Sequence, residues 1–141
     1  PANLALAVHP NLDYSLYAFL DPNGNTEQLL VCDDLVSAFM TRTGMQINRG
    51  AFISVKGRDL ENLEARHPFL PRTAKVILAN FVTTETGTGI VHIAPGHGAD
   101  DYVAGQQNGL AVLSPVDDAG KFTAGHLRAL AQVAQARAMA A

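Results

Sequence analysis

The sequence has a single cysteine, no tryptophan and few aromatic residues. Of its 141 residues, 6% are aromatic and one, Cys32, is a cysteine. A single cysteine excludes an internal disulfide framework and a cysteine-rich zinc site. Cys32 follows the apolar residues Leu29, Leu30 and Val31. This setting is typical of a small buried side chain rather than of a nucleophile, which needs surroundings that lower the thiol pKa.

Long apolar runs are also absent. No stretch reaches the roughly 18 consecutive apolar residues of a membrane helix. The chain does not open with the basic and then apolar segments of a secretory signal. Pro1 is not a natural translation start, so we expect a fragment of a longer protein. The length and the 48% hydrophobic content predict one soluble domain without membrane contact.

Basic residues are missing from residues 1–41, which carry five acids. The segment 42–75 carries seven bases and three acids, a net charge of +4, whereas residues 76–141 carry three bases and five acids. A local excess of positive charge could face a phosphate backbone. An ordinary solvated surface is the alternative, and the charge pattern does not decide between the two.

Twelve glycines and seven prolines predict many turns and short strands rather than a helix bundle. The apolar patterns predict strands at 4–8, 14–19, 26–31, 52–55, 76–79, 81–84, 90–94 and within 110–116. Asn23-Gly24 predicts a tight turn between two of them. We therefore predict an α+β fold with a compact, β-barrel-like core and short helical insertions.

Two internal helices and a helical tail are predicted. The first helix would begin with Asp33 as its N-cap and end at Gly44. The second would run from Asp100 to about Asn108. The segment 123–141 is rich in alanine, and its apolar residues from His126 onward have helical spacing, which predicts a helical tail.

The densest group of polar residues lies between Thr88 and Asp101. Alternate residues of a strand share a face, which would place Thr88 and His92 together. The chain then passes through His97, flanked by two glycines, and enters the second helix at Asp100 and Asp101. A strand, a glycine loop and a helix N-terminus in succession allow a ligand to approach the backbone closely. Asp101 could anchor a cationic group such as an α-ammonium.

Each of these residues also has a structural interpretation. Asp101 could simply stabilise the helix dipole. His92 could be a partly buried strand histidine, and His97 an exposed loop residue. The residues alone leave these alternatives open.

Three other kinds of site fit the pattern poorly. His92 and His97 with a neighbouring aspartate match no metal-ligand spacing such as His-Glu-x-x-His. A strand rather than a helix follows Gly87-x-Gly89, which excludes a dinucleotide-binding turn. The serines lack the context of a nucleophile elbow. The sequence therefore predicts neither a metal nor a cofactor.

Residues 87–102, GTGIVHIAPGHGADDY, closely resemble a signature of the editing domain inserted into isoleucyl-tRNA synthetases. The valyl and leucyl relatives typically carry Pro-Ala-His-Asp where this chain has Pro95-Gly96-His97-Gly98. The segments 1–8, 56–69 and 108–117 resemble the same family in order and rough spacing. The resemblance covers about residues 1–122, so we interpret 1–141 as one editing domain whose tail, 123–141, is not matched.

The resemblance implies a fold, an activity and partners. The family fold, that of the class I synthetase editing domains, is a closed β-barrel with helical insertions. The implied activity is hydrolysis of the ester that joins valine to the tRNA for isoleucine. One missing methylene provides only about 1–3 kcal/mol of discrimination, so a second, hydrolytic site is needed. The implied partners are the 3′ aminoacyl end of mischarged tRNA and the remainder of the synthetase. The implied compartment is the cytoplasm, with an organellar matrix as the alternative.

The resemblance also assigns roles to individual residues. Asp101 matches the carboxylate that binds the substrate α-ammonium. His92 matches the strand histidine that lines the amino-acid pocket and selects for size, and Asn3 matches a polar pocket residue. Thr88, His97 and Asp100 complete the predicted substrate-binding set. Water is the expected nucleophile, and no metal or cofactor is implied.

The chain departs from the family pattern in two places. The family's threonine-rich strand would precede the segment that matches Pro1, and the alanine-rich tail replaces further family elements. The alternatives are therefore an inactive fragment that binds tRNA or its aminoacyl end, a valyl-type domain that clears threonyl-tRNA, and a freestanding deacylase. The signatures of a synthetase catalytic core are absent from the sequence, so the chain is not expected to charge tRNA.

Overall fold

The computed structural model describes residues 2–128, 130 and 131 and shows a mixed α+β fold, as predicted. Its strands and helices are β1 (Ala5–Val8), β2 (Asp13–Leu20), β3 (Thr26–Cys32), α1 (Val36–Thr43), β4 (Gln46–Lys56), β5 (Glu64–Arg66), β6 (Thr73–Leu78), β7 (Ile90–Ile93) and α2 (Ala99–Gln107). Two short 3₁₀ turns span Asp33–Leu35 and Gly57–Leu60.

The strands form two separate sheets. β2 lies at the centre of a three-stranded sheet and pairs antiparallel with both β3 and β4. The second sheet has the strand order β5-β6-β1-β7. A barrel closes only when the two edge strands of a sheet pair with each other. β5 and β7 are edges of one sheet, and β3 and β4 are edges of the other. The closed β-barrel that we predicted is therefore not confirmed by the described residues.

The described residues divide into two compact units. Leu6–Leu63 and Val76–His92 make up one unit, called the core unit below. The other described residues make up the second unit, called the loop unit. The side chains of Tyr14, Phe19 and Cys32 are fully buried in the hydrophobic cluster of the core unit. Burial raises the pKa of the Cys32 thiol, which keeps it protonated and unreactive, in agreement with the sequence.

The turn between β2 and β3 follows the prediction. One carboxylate oxygen of Asp21 accepts the backbone N–H groups of Asn23 and Asn25 at 2.9 and 2.8 Å. The other accepts the side-chain amide of Asn25 at 3.0 Å. These bonds lower the pKa of Asp21, those from Asn25 having the largest effect. They fix the turn and so the register of the hairpin, in which Tyr14 lies opposite Cys32.

The first helix ends where predicted but begins differently. Gly44 terminates α1, and its N–H donates to the carbonyl of Met40 at 2.9 Å. Asp33 is not an N-cap, because a 3₁₀ turn begins there and its start has no side-chain cap. The Asp33 carboxylate instead accepts the hydroxyl of Tyr17 at 3.0 Å. Asp33 therefore contacts Tyr17 of β2 instead of capping the helix.

Other differences arise from strand pairing. β4 spans eleven residues, whereas only 52–55 were predicted, because pairing with β2 extends a mostly exposed strand. β5 was not predicted as a strand. Residues 81–84 form no strand, and 110–116 contain only a bridge from Val116 to Phe122. Residues 124–128, 130 and 131 are helical, while the rest of the predicted tail lies outside the described residues.

A buried histidine organises the loop between β5 and β6. His67 is 4% exposed, and its Nδ1 accepts the N–H groups of Phe69 and Leu70 at 3.3 and 3.1 Å. Its ring also packs edge-on against Phe69, with 4.6 Å between the centroids. An accepting Nδ1 requires the neutral imidazole. Burial and the positive charge of Arg72 lower the pKa of His67, which favours that form.

None of the helices in the described ranges has the length and apolar character needed to cross a membrane.

We predict that His67 makes folding less favourable in acid. The unfolded chain takes up a proton at His67 below its ordinary pKa of about 6.5, whereas the folded chain resists it. The free energy of unfolding should therefore fall between pH 7.5 and pH 5.5, as measured by urea denaturation. His67→Asn keeps an acceptor near Nδ1 without a titrating ring and should show a smaller fall. His67→Ala should lose about 2 kcal/mol at pH 7.5, because it leaves backbone donors unpaired. Equal pH dependence in the wild type and His67→Asn would contradict this explanation.

Candidate active site

The connection from β7 to α2 is fixed by the carboxylate of Asp101. Asp101 lies in the first turn of α2, and its Oδ2 accepts the N–H of Ala94 at 2.9 Å. Gly98 is the N-cap residue and provides no side-chain cap, while its carbonyl accepts the N–H of Tyr102 at 2.8 Å. The negative charge also lies at the positive end of the helix dipole. Asp101 therefore has the structural role that the sequence left open.

This structural role uses only one of the two carboxylate oxygens. Asp101 is half-buried, and none of the described residues donates a hydrogen bond to its Oδ1. A carboxylate oxygen in a fixed position, with unused acceptor capacity, can accept a charge-assisted hydrogen bond from an ammonium group. The structural and ligand-binding roles of Asp101 are therefore compatible.

The glycine-rich stretch before α2 is shaped by close packing. A Cβ atom on Gly96 would collide with the backbone carbonyl of Leu113. On α2, a Cβ atom on Gly105 would lie 2.7 Å from the ring of Pro95. The backbone can therefore approach both neighbours only because these positions lack side chains. This packing explains two glycines of the region that contains the signature.

His97 and Asp100 are exposed at this loop. The backbone N–H of His97 donates to the carbonyl of Ala94 at 2.8 Å, which closes the turn. The side chains of His97 and Asp100 are both exposed and make no hydrogen bond to the described residues. For His97 this agrees with the exposed loop residue that the sequence offered as an alternative. Their predicted contacts with substrate remain predictions.

Asn3 lies two residues before β1, and the residue after it, Leu4, is bonded to the same backbone segment. The N–H of Leu4 donates to the carbonyl of Ile93 at 2.8 Å, and the next residue, Ala94, donates to Asp101. Leu4, which follows Asn3, and Asp101 are therefore bonded to the same peptide unit, Ile93–Ala94. The side-chain Oδ1 of Asn3 is enclosed and has no hydrogen-bond partner among the described residues. A buried, unpaired acceptor is costly unless a ligand satisfies it.

His92 and Thr88 belong to the core unit. His92 is exposed on β7, so the partly buried strand histidine that the sequence offered as an alternative is not found. β7 begins at Ile90, so Thr88 precedes the strand and does not share a strand face with His92, contrary to our prediction. The Thr88 carbonyl accepts the N–H of Cys32 at 2.8 Å, and its Oγ1 accepts the N–H of Ile90 at 3.4 Å.

Sequence reasoning missed the residue that supports the Gly-Thr-Gly turn. The buried hydroxyl of Tyr14 donates to the carbonyl of Gly89 at 2.8 Å and accepts the N–H of His9 at 3.0 Å. Gly89 has a φ of +77° and packs directly against Cys32, so a side chain is disfavoured on both counts. A tyrosine among buried strand residues was the available signal, because a buried hydroxyl needs a partner.

The basic residues of segment 42–75 are distributed over both units. Lys56 forms an ion pair with Asp13 at 2.8 Å, although both side chains are about half exposed. Arg42, Arg49 and Arg58 are exposed elsewhere in the core unit, and the other basic residues of the segment belong to the loop unit. An exposed ion pair such as that of Lys56 and Asp13 contributes little to stability.

Across the described part of the chain, no three His, Cys, Asp or Glu side chains are grouped so that they could hold a metal ion.

Curated isoleucine–tRNA ligases are similar to this chain. The ligase of Persephonella marina is 46% identical over 124 residues, that of Shewanella oneidensis 47% over 122, and that of Thermotoga maritima 46% over 125. These matches cover 86–87% of this chain but only 12–13% of each ligase. No family model matches the sequence.

A solved structure shows the same fold. The CP1 domain of a leucyl-tRNA synthetase, GlLeuRS-CP1, superposes with a TM-score of 0.56 at 22% sequence identity. The match covers 74% of this chain and 37% of that one. The chain thus has the fold of the editing domains that are inserted into aminoacyl-tRNA synthetases. Within that class it belongs to the isoleucine–tRNA ligase family, of which it represents a segment.

Proposed function

We propose that this chain is a hydrolytic editing domain that removes valine from the tRNA for isoleucine. The observation that carries the proposal is the carboxylate of Asp101. One of its oxygens is fixed by Ala94, and the other is available to a ligand at the start of α2. Membership of the isoleucine–tRNA ligase family gives this geometry its expected substrate, an amino acid esterified to tRNA.

Asp101 would anchor the substrate rather than attack it. The α-ammonium of the valyl group donates to Oδ1, and this charge-assisted bond holds the ester carbonyl in one place. A water molecule then adds to the carbonyl carbon. The bond from that carbon to the ribose oxygen breaks, the ribose oxygen takes up a proton, and free valine and tRNA result.

Asn3 and His92 would complete the binding of the aminoacyl group. The enclosed Oδ1 of Asn3 can accept one hydrogen bond from the substrate, near the backbone that Asp101 fixes. His92 is exposed on β7 and, by its resemblance to the family's strand histidine, would limit the size of the amino acid that is removed. Size exclusion is required, because one methylene contributes only about 1–3 kcal/mol to discrimination in a single binding step.

The proposed partners are the 3′ end of mischarged tRNA and the remainder of the ligase. The exposed bases Arg42, Arg49, Arg58 and Lys75 are available for phosphate contacts. Binding through such contacts would weaken as the salt concentration rises.

A second candidate function is binding of the aminoacyl end without hydrolysis. The hydrogen bond from Ala94 to Asp101 favours it, because this bond accounts for the carboxylate in purely structural terms. A valyl-type domain that removes threonine is the nearest enzymatic alternative. Comparing valyl-, threonyl- and isoleucyl-tRNA as substrates separates all three.

We predict that Asp101→Asn slows removal of valine by about 10- to 100-fold, because a hydrogen bond to a charged group contributes roughly 1.5–3 kcal/mol. The amide oxygen of the variant can still accept the N–H of Ala94, so the melting temperature should change little. Asp101→Ala removes the charge and this clamp together and should be less stable than Asp101→Asn. The measurement is the rate of valyl-tRNA deacylation by the 141-residue chain.

Asp118→Asn is the matched control, because it removes one negative charge from an exposed turn of the same unit. Its rate should equal that of the wild type. A folded wild-type chain without hydrolysis above background would contradict the proposed activity. Unchanged hydrolysis in Asp101→Asn would contradict the proposed role of the carboxylate.

We predict that His92→Ala changes which amino acid is removed. The ratio of valine to isoleucine removal should fall by about tenfold, within the range that one methylene provides. The melting temperature should stay the same, because His92 is exposed. A lower melting temperature with an unchanged ratio would show that His92 is a structural residue.

A further inference from the structure

Arg72 contacts the backbone of a predicted substrate-binding residue. Its Nη2 donates to the main-chain carbonyl of Asn3 at 2.8 Å, between residues 69 positions apart in the sequence. The side chain is half-buried, and burial lowers the pKa of Arg72. The positive charge of Arg72 is therefore partly desolvated. This desolvation destabilises the folded chain unless the hydrogen bond to Asn3 offsets it.

The loop that carries Arg72 is held tightly. The Arg72 carbonyl accepts the N–H of His67 at 2.9 Å, and the Arg72 N–H donates to the carbonyl of Leu70 at 2.8 Å. The imidazole of His67 then fixes the N–H groups of Phe69 and Leu70. The backbone from which the Arg72 side chain extends is therefore restrained on both sides.

The loop between β5 and β6, residues 67–72, is longer than the connection of the two strands requires. β5 and β6 pair antiparallel from Arg66 and Thr73 outward, and a two-residue turn is enough to join antiparallel strands. This loop has six residues between the strands and buries a histidine to hold its shape. Its shape places Arg72 against Asn3.

Asn3 needs such a restraint if its side chain is to act. It precedes β1, and the peptide unit that joins Asn3 to Leu4 is held on one side by the bond from the Leu4 N–H to Ile93. Among the described residues, the guanidinium of Arg72 is the hydrogen-bond donor to the Asn3 carbonyl. The bond to that carbonyl holds the other side of the same peptide unit and so limits rotation of the backbone from which the Asn3 side chain extends.

We propose that Arg72 is a positioning residue of the editing site, which acts through Asn3 and makes no contact with substrate. This inference rests on the proposed function, since it assigns Asn3 to substrate binding. The ligand that benefits is the aminoacyl ester at the end of tRNA, through a hydrogen-bond donor that meets the Asn3 amide oxygen. Arginine suits the task because its planar group holds several donors in a fixed geometry.

The test is a double-mutant cycle with Arg72→Met and Asn3→Ala in the 141-residue chain. Each single variant should raise the KM for valyl-tRNA by about tenfold and change kcat less, because binding geometry is lost rather than the chemical step. The double variant should also show about a tenfold increase, not a hundredfold one, because both changes remove the same interaction. Arg72→Lys, which keeps one cationic donor, should recover part of the loss.

Arg66→Met is the matched control. It removes the same charge from β5, one residue before the loop, at an exposed side chain. Its KM should stay within about twofold of the wild-type value, because among the described residues Arg72, and not Arg66, donates to the Asn3 carbonyl. If Arg72→Met does not fold, Arg72→Lys takes its place in the cycle; its own effect on KM should be smaller than tenfold, and the double variant with Asn3→Ala should be no worse than Asn3→Ala alone.

Two results would overturn the inference while the proposed function stands. One is a wild-type chain with Asp101-dependent hydrolysis in which Arg72→Met behaves like Arg66→Met. The other is an additive, roughly hundredfold effect in the double variant, which would show that Arg72 acts independently of Asn3. A folded wild-type chain that does not hydrolyse valyl-tRNA would instead overturn the proposed function and the inference together.

Discussion

The hydrogen bond between the Ala94 N–H and the Asp101 carboxylate links the end of β7 to the start of α2. The carbonyl of Ile93, on the other side of the same peptide unit, accepts the N–H of Leu4. One peptide unit is thereby fixed by the beginning of β1 and by the first turn of a helix. The glycine-rich turn that follows packs closely on Leu113 because Gly96 has no side chain. The direction of the Asp101 carboxylate depends on its bond to Ala94, and the backbone next to Asn3 is bonded to the same peptide unit.

A carboxylate is well suited to this double task. Its two oxygens offer about four acceptor positions, so one hydrogen bond to the backbone leaves capacity for a ligand. The bond to Ala94 also fixes the direction in which the charge faces, and the helix N-terminus stabilises that charge. A site held in place before substrate arrives loses less entropy on binding. In the proposed function, the structural clamp and the substrate anchor are therefore the same side chain.

The sequence predicted those features that depend on neighbouring residues. Asn23-Gly24 marked the hairpin turn, Gly44 the end of α1, and the acids at 100 and 101 the start of α2. The signature at 87–102 predicted the family, which the comparisons confirm. In all these cases the information lies within a few positions along the chain.

The rest depends on residues that are far apart in the sequence. Tyr14 bonds to Gly89, and Arg72 to Asn3, across 75 and 69 positions, and no periodicity indicates either pair. β4 is longer than its apolar pattern because β2 provides a partner, whereas 81–84 has strand-like residues and forms no strand. The short strands suggested a barrel-like core and the resemblance a closed barrel, but the described strands form two sheets.

The central claim is that substrate binds at the Asp101 carboxylate that also holds Ala94. The most direct test is a titration of the ¹⁵N-labelled chain with a non-hydrolysable amide analogue of valyl-adenosine, followed by NMR. Binding at Oδ1 changes the charge distribution of the carboxylate, so the amide signal of Ala94 should shift in proportion to occupancy. The corresponding isoleucyl analogue should produce a smaller shift at the same concentration. An Ala94 signal that stays in place while other amides shift would show that the ligand binds elsewhere and would contradict the account.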